Sequence, residues 1–364
     1  MKVLTEQIVS MPIVNPDTGA PSRTFIFMGK VDVIKVVEEL NTGKIVDWKG
    51  VADTGRFIQQ ARIGYQAELY ALSVIDSGTD IYEIEYRLIE RPRIKYKHPK
   101  FTWACWRAKN KNASKVFDNE TQANTFANMQ GMAVEARCQG NRDRDDYEQE
   151  CYDWLLTEGS TWTQPDRPNR LVSHTHRITP AKLTQAKWYL HECGKRILDN
   201  RRCNRWIPNC KACFAYERPC EYIDLCDALQ NGADWQWIID DRYVVVENSH
   251  HELGEIDTKL DVLTYSSLGD LSLCEMIYFW RHEKKVRLQR EDDTEPLWVG
   301  NALHVGLDTF SKSGQKAAFK AIDQWADDNP VIGEDGFWKQ EQQIAKARAM
   351  VRAAVAKWNV KGGA

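Results

Sequence analysis

The sequence lacks the segments that would carry a protein into or across a membrane. Thr5, Glu6 and Gln7 interrupt the first hydrophobic residues, so the apolar centre of a secretory signal is missing. No stretch reaches the roughly 20 apolar residues of a membrane span. Internal repeats, low-complexity tracts and a phosphate-binding Walker motif are missing too. We therefore expect a cytoplasmic protein without a membrane partner, and any helicase activity would have to come from another chain.

A strong net charge is also missing, since the sequence carries −3 over 364 residues, but its basic residues are unevenly distributed. Between Arg91 and Lys115 there are nine lysines and arginines, four aromatic residues and no acidic residue. This mixture is typical of surfaces that bind single strands, because phosphates attract cations and bases stack on rings. A solvated basic loop would have the same composition, so both interpretations stay open. A second basic run at 281–290 has the same ambiguity.

Disulfides are not expected, because the cytoplasm keeps thiols reduced. Five of the ten cysteines lie within 24 residues, and in a reducing compartment such clustering favours a metal site. These five are Cys203, Cys210, Cys213, Cys220 and Cys226. Cys105, Cys138, Cys151 and Cys193 are isolated in the sequence, and we expect them to be buried thiols.

The hydrophobic pattern predicts strands first and helices later. Residues 3–50 have the alternation of a three-stranded meander, 55–75 the spacing of a helix, and 78–90 the pattern of another strand. The other predicted elements are helices near 120–135, 145–157 and 180–199, short strands near 235–246, and helices over most of the last hundred residues, with a turn at Ser313-Gly314.

The second and third predicted strands carry the most informative residues. Adjacent antiparallel strands can direct Asp32 and Asp47 towards one point, and carboxylate oxygens are the preferred ligands of hard divalent cations. Lys49 follows Asp47 by two residues, so both side chains share one face of the strand. The backbone carbonyl of Trp48 between them can supply a further ligand. A cation held there would activate water and neutralise a phosphodiester during hydrolysis.

The helix predicted next carries Gln66 and Tyr70, four residues apart on one face. A single Asp-x-Lys pair is common on solvated hairpins, but the ordered set is more specific: Gly29-x-x-Asp32, Asp47-x-Lys49 and Gln66-x-x-x-Tyr70. This set resembles the RecB-like nucleases of the PD-(D/E)xK superfamily. That group includes the AddB nuclease domain, the iron–sulfur nucleases of CRISPR adaptation and many phage-encoded relatives.

The resemblance implies an α/β fold, in which helices flank a central mixed sheet, and hydrolysis of DNA with Mg²⁺ or Mn²⁺. It assigns the cation to Asp32, Asp47, the carbonyl of Trp48 and one histidine. Lys49 would polarise the attacking water or the scissile phosphate, and Gln66 and Tyr70 would orient Lys49 or a nucleotide.

In this family a helical segment before the strands supplies a cysteine and the metal-binding histidine. A similar segment stands at the other end of this chain, with Ser266-x-Leu268, then Cys274-x-x-x-Tyr278, and then Gly300-x-x-x-His304. The resemblance therefore implies a circularly permuted core, with His304 beside Asp32 and Asp47 in the same chain. The alternative is a core completed by a second subunit. The predicted divisions are 1–76 (core strands and helix), 77–178 (basic insertion contacting DNA), 179–250 (helix and cysteine segment) and 260–364 (completing segment).

The family also holds a [4Fe–4S] cluster, and the matching cysteines here are Cys213, Cys220, Cys226 and Cys274. The additional Cys210-x-x-Cys213 pair allows a structural zinc site instead, in which Cys210 replaces Cys274. Whether Cys203 or Cys210 joins the metal stays open at this point.

The implied function is therefore a metal-dependent DNA nuclease, most simply an exonuclease acting on single strands or duplex ends during recombination, repair or phage replication. The resemblance also implies a bacterial or phage-infected cell. Two alternatives remain: a non-catalytic DNA-binding protein with a metal cluster, and a nuclease subunit working with a helicase, a recombination partner or a CRISPR adaptation complex.

Overall fold

A computed structural model describes most of the chain. The described residues are 2–96, 100–107, 110–139, 143–157, 169–214, 219–246, 253, 258–289, 295–331 and 336–358. Lys97, most of the connector near 251–257 and the C-terminal tail from 359 lie outside them, as do the side chains of Lys100 and Arg107.

The strands are β1 (Lys2–Val14), β2 (Pro21–Val37), β3 (Thr42–Val51), β4 (Asp80–Glu90), β5 (Lys100–Arg107), β6 (Asn110–Phe117), β7 (Ala133–Gln139), β8 (Leu171–Arg177), β9 (Tyr243–Val245), β10 (Asp261–Leu263) and β11 (Val286–Leu288). The helices are α1 (Thr54–Ile63), α2 (Gln66–Asp76), α3 (Glu120–Gln130), α4 (Arg144–Leu156), α5 (Pro180–Cys203), α6 (Ile223–Gln230), α7 (Gln236–Arg242), α8 (Tyr265–Leu273), α9 (Glu275–Tyr278), α10 (Glu295–Asp328) and α11 (Gly336–Trp358). Two compact units result: the first comprises Met1–Lys49, Gly55–Leu88 and Val172–Glu291, and the second Gly50–Thr54, Ile89–Leu171 and Asp292–Ala364.

The first unit is built on a mixed sheet with strand order β1-β2-β3-β4-β8. β1, β2 and β3 are antiparallel neighbours, whereas β10 pairs with β2 in parallel, Val262 opposite Ile26. Helices α2, α5 and α8 cover the sheet, and one apolar core joins them through Phe27, Leu69 and Leu268. The predicted α/β class, with helices flanking a central mixed sheet, is confirmed.

Two predicted elements differ from the structure of this unit. The helix predicted over 55–75 is two helices, because the chain turns at Gly64, where a Cβ would lie 3.1 Å from the Tyr265 hydroxyl. The strands predicted near 235–246 are mostly helix α7, and only β9 is extended. Ile238 and Ile239 are adjacent in sequence, and both are buried. A helix can bury two neighbouring side chains, whereas a strand with one solvent-exposed face would expose one of them.

The second unit contains a small antiparallel sheet, β6-β5-β7, with α3 packed beside it, and the helices α4, α10 and α11. Its three strands were not predicted, because the charged residues of this stretch obscured its pattern, although β7 alternates Val134, Ala136 and Cys138 with polar and charged residues. α10 is interrupted at Gly314, whose φ of 78° is left-handed, at the predicted turn. Within the described residues, no helix combines the length and apolarity needed to cross a membrane.

Candidate functional site

Three carboxylates lie in a row across the first three strands of the sheet: Glu6 on β1, Asp32 on β2 and Asp47 on β3. The β1–β2 ladder pairs on either side of the Glu6–Asp32 position are Thr5 with Val33 and Gln7 with Val31. The β2–β3 ladder runs to the pair Val33 and Val46, so continuing its register by one residue sets Asp32 opposite Asp47. Strand pairing alone therefore gathers these acids into what we call the carboxylate row.

Hydrogen bonds fix the two predicted aspartates. The backbone N–H of Trp48 donates to Asp32 Oδ2 at 2.7 Å. Asp47 is 2% exposed, and Lys49 Nζ lies 3.1 Å from its Oδ1 and 2.9 Å from its Oδ2. Asp47 and Lys49 therefore share one face of the strand, as predicted, and they form a direct ion pair.

The electrostatics of the row favour a bound cation. Burial raises the pKa of the Asp32 carboxyl, and Glu6 adds to the rise, although Lys49 and the Trp48 N–H oppose it. Burial opposes the charge of Lys49, but Asp47 and Asp32 outweigh it and raise the pKa of the ammonium. Lys49 therefore stays protonated, while Asp32 carries a desolvation cost that a divalent cation would relieve.

Gln66 and Tyr70 lie together at this site, since Gln66 Nε2 donates to the Tyr70 hydroxyl at 3.3 Å. Burial raises the pKa of Tyr70, and the charge of Lys49 is the main influence that opposes the rise. The Tyr70 ring rests on the backbone of β2 at Gly29, where a Cβ would come within 2.6 Å of Tyr70 Cε1. Glycine in the Gly-x-x-Asp segment therefore makes room for the ring that faces Lys49.

Glu6 was not predicted as a site residue. One of its carboxylate oxygens lies within 4.8 Å of one from Asp32, and it forms an ion pair with Lys30. Its backbone has a φ of 52°, a conformation that few non-glycine residues adopt. A single glutamate in an edge strand gives no sequence signal, because only the ladder register shows what lies opposite it.

His304 lies on α10 and is half-buried. This helix belongs to the second unit, whereas the carboxylate row belongs to the first. The prediction that His304 joins Asp32 and Asp47 on one cation stays a prediction.

The four cysteines matched to the cluster pattern lie close to one another in the first unit. Each of them interacts electrostatically with the other three, although Cys274 is 48 positions from Cys226 in the sequence. These four are Cys213, Cys220, Cys226 and Cys274, which we call the cysteine group. Cys210 interacts with Cys213, and both Cys210 and Cys203 are exposed.

The cysteine group lies in an apolar environment. Burial raises the pKa of Cys213 and Cys220, and raises that of Cys226 to about 11, with neighbouring thiols adding to each rise. Cys220, Cys226 and Cys274 pack against the same hydrophobic cluster, and the Asn209 N–H donates to Cys274 Sγ at 3.2 Å. Four converging thiols with an N–H···S bond are the donor set of an iron–sulfur or zinc centre.

One arginine connects the two segments that carry these cysteines. Arg281 Nη1 donates to Asp270 Oδ1 at 2.8 Å, on the helix that ends at Cys274. The same guanidinium forms an ion pair with Glu221 and contacts the Tyr222 hydroxyl, next to Cys220. The contact between the segments therefore includes charged hydrogen bonds as well as thiols.

Comparison with protein-family models, with curated proteins and with solved structures found no match for this chain. The interpretation of both sites therefore depends on their own geometry and chemistry.

Proposed function

We propose that the protein is a metal-dependent DNA nuclease of the PD-(D/E)xK type, and that the carboxylate row is its active site. The observation that carries the proposal is the meeting of Asp32, Asp47 and Lys49 with Gln66 and Tyr70, in the arrangement expected for this chemistry. A structural ion pair would need only Asp47 and Lys49. The additional buried and partly buried acids are costly to place together without a cation.

The donor set fits Mg²⁺ or Mn²⁺. Asp32 and Asp47 would hold the ion, and Glu6 is a third oxygen ligand that we add from the structure. When bound, the ion supplies charge neutralisation and acidifies a water at the phosphate. His304 remains a proposed nitrogen ligand.

The protein's own residues have separable roles. The protonated Lys49 supplies positive charge for the phosphate, and Asp47 holds its ammonium in place. Tyr70 faces Lys49 and is oriented by Gln66, so this pair positions the lysine or a nucleotide. These are transition-state contacts, and their loss should affect cleavage more than binding.

The permuted order forms part of the proposal. Its support is that β10 and α8, which follow residue 260, are integral to the first unit. Leu263 pairs with Phe27, and Leu268 and Leu271 are buried in the core beneath α2. Residues 261–271 therefore share the sheet and the core that carry the carboxylate row, as the permuted order requires.

We further propose that the cysteine group holds a [4Fe–4S] cluster, with Cys213, Cys220, Cys226 and Cys274 as ligands. A zinc site built on Cys210 is less favoured, because Cys210 is exposed, whereas Cys274 is buried and interacts with the other three cysteines. The cluster would be structural, joining two distant segments.

End-labelled single- and double-stranded DNA would test the function. We expect cleavage with Mg²⁺ or Mn²⁺ and none in EDTA, and Asp47→Asn should abolish it while DNA binding in EDTA persists. Asp80→Asn makes the same change at the exposed start of β4 and should cleave normally. Cleavage by Asp47→Asn at the parental rate would disprove the assigned centre.

A further inference from the structure

The second unit has a pocket of about 460 Å³ with a concentration of positive charge. Four of its lining residues are basic: Arg91, Arg93, Lys95 and Lys346. Among the described residues, none of those lining it is acidic. A concave surface with several cations concentrates its field on whatever occupies it, and so selects an anion.

The wall that carries three of these cations is fixed on both sides. The Arg91 N–H donates to the Val51 carbonyl at 2.8 Å, and the Arg93 guanidinium donates to the Ala52 carbonyl. From α4, the Tyr147 hydroxyl donates to the Ile94 carbonyl at 2.7 Å. The segment 91–96 has no regular secondary structure, yet these hydrogen bonds tie its backbone and the Arg93 side chain to neighbouring residues.

The opposite wall comes from α10 and α11, which contribute Val299, Gln342 and Lys346. Lys346 is only 8% exposed, so its aliphatic stem is buried while the residue still lines the pocket. Arg93 forms an ion pair with Glu90 at 3.8 Å. The described lining of the pocket therefore carries four basic side chains and no acidic one.

We propose that this pocket binds a phosphate group of a DNA single strand. Arginine and lysine together are the side chains that phosphate recognition uses, and Tyr96 supplies an aromatic surface beside them. The inference rests on the proposed function, since it names a contact of the nuclease with its substrate strand.

Binding in EDTA tests the pocket without cleavage. The probe is a single-stranded oligonucleotide with a 3′ fluorophore and either a 5′-phosphate or a 5′-hydroxyl, followed by anisotropy over a range of salt. Lys95→Gln and Lys346→Gln should each weaken binding about fivefold and reduce the slope of log affinity against log salt by about 0.7, the value for one lost phosphate contact on a single strand. Lys312→Gln removes an exposed lysine elsewhere in the same unit, and should change neither quantity.

The outcomes are distinguishable. A loss seen with both oligonucleotides assigns an internal phosphodiester, and a loss confined to the phosphorylated one assigns a terminal phosphate; either supports the pocket. Because Lys346 is buried, thermal melting is used to check that Lys346→Gln is folded. If that variant unfolds, Lys95→Gln still tests the pocket, because Lys95 is exposed. Parental affinity and slope for Lys95→Gln would overturn the inference. Failure of the nuclease proposal would show only in the cleavage assay, which this measurement does not use.

Discussion

The carboxylate row and the cysteine group are both candidate metal centres of one unit, yet they are assembled differently. The row is positioned by the backbone ladders of β1, β2 and β3, whose residues lie within 50 positions of each other. The cysteine group joins loops and helix ends from two distant segments, through Arg281, one apolar cluster and the thiols themselves. The first should therefore keep its geometry without metal, whereas the second should depend on it.

Replacing Lys49 by methionine should give the largest effect on the row and none on the cysteines. We expect cleavage to fall at least about 100-fold, because a charge directed at the phosphate is lost. Iron content and visible absorbance should stay at parental values. Lys187→Met, at an exposed position of α5, is the matched control. Loss of iron in Lys49→Met would show that the two centres are not independent.

Removing one cysteine ligand should affect stability instead. Anaerobically purified protein should be brown, and Cys274→Ala should lose iron, absorbance and roughly 5–10 °C of melting temperature together. Cys210→Ala should change these little, because Cys210 is exposed and is not one of the four proposed ligands. The reverse result would replace the iron–sulfur proposal with a local zinc site.

Arg281 tests whether protein contacts alone hold the cysteine segments together. Arg281→Met removes the hydrogen bonds to Asp270 and Glu221, and we expect it to retain at most about half the iron and to release the remainder faster to a chelator. Arg281→Lys should restore part of the loss. Arg242→Met removes an exposed ion pair with Asp224 and should leave iron unchanged. Normal iron retention in Arg281→Met would mean that the thiols suffice.

Gly29→Ala should disturb the row without touching a ligand. The new methyl group would meet Tyr70 at 2.6 Å, so the ring must leave its present position, and cleavage should fall roughly tenfold. Gly269→Ala, where nothing lies within 4 Å of the added carbon, serves as the control. Unchanged cleavage by Gly29→Ala would remove Tyr70 from the mechanism.

A paired carboxylate of the same sheet should give the smallest effect. Burial opposes ionisation of Glu85, but hydrogen bonds from Lys44 and Arg87 lower its pKa to about 2. The resulting stability, about 2 kcal/mol, is present above the ordinary glutamate pKa and is lost as pH falls through about 2. Glu85→Gln should therefore flatten the acid side of the stability curve. The free energy of unfolding would be measured by chemical denaturation at several acidic pH values. The same loss of stability in Glu85→Gln as in the parent would contradict the pairing of Glu85 with Lys44 and Arg87.

The sequence was informative where residues with reactive or charged side chains follow the period of a single strand or helix. Asp47 and Lys49 share a face because strand side chains alternate, so their contact followed from spacing alone. The row's third acid, Glu6, could not be found this way, because its neighbour Asp32 lies 26 positions away and depends on register. The strands β5 to β7 were missed for a different reason, since many charged residues obscure a short alternation such as Val134, Ala136 and Cys138 in β7.

The sequence by itself determined the local content of this protein: which segments are strands or helices in the first ninety residues, which residues carry carboxylate, ammonium and thiol groups, and that the chain turns at Gly314. Only the tertiary structure decided which of these groups meet. It set Glu6 opposite Asp32, brought Cys274 to Cys213, and placed Lys346 in one pocket with Arg91. The physical reason is that spacing along the chain fixes neighbours within one element, whereas contacts between elements depend on ladder register and on the burial of shared apolar surface.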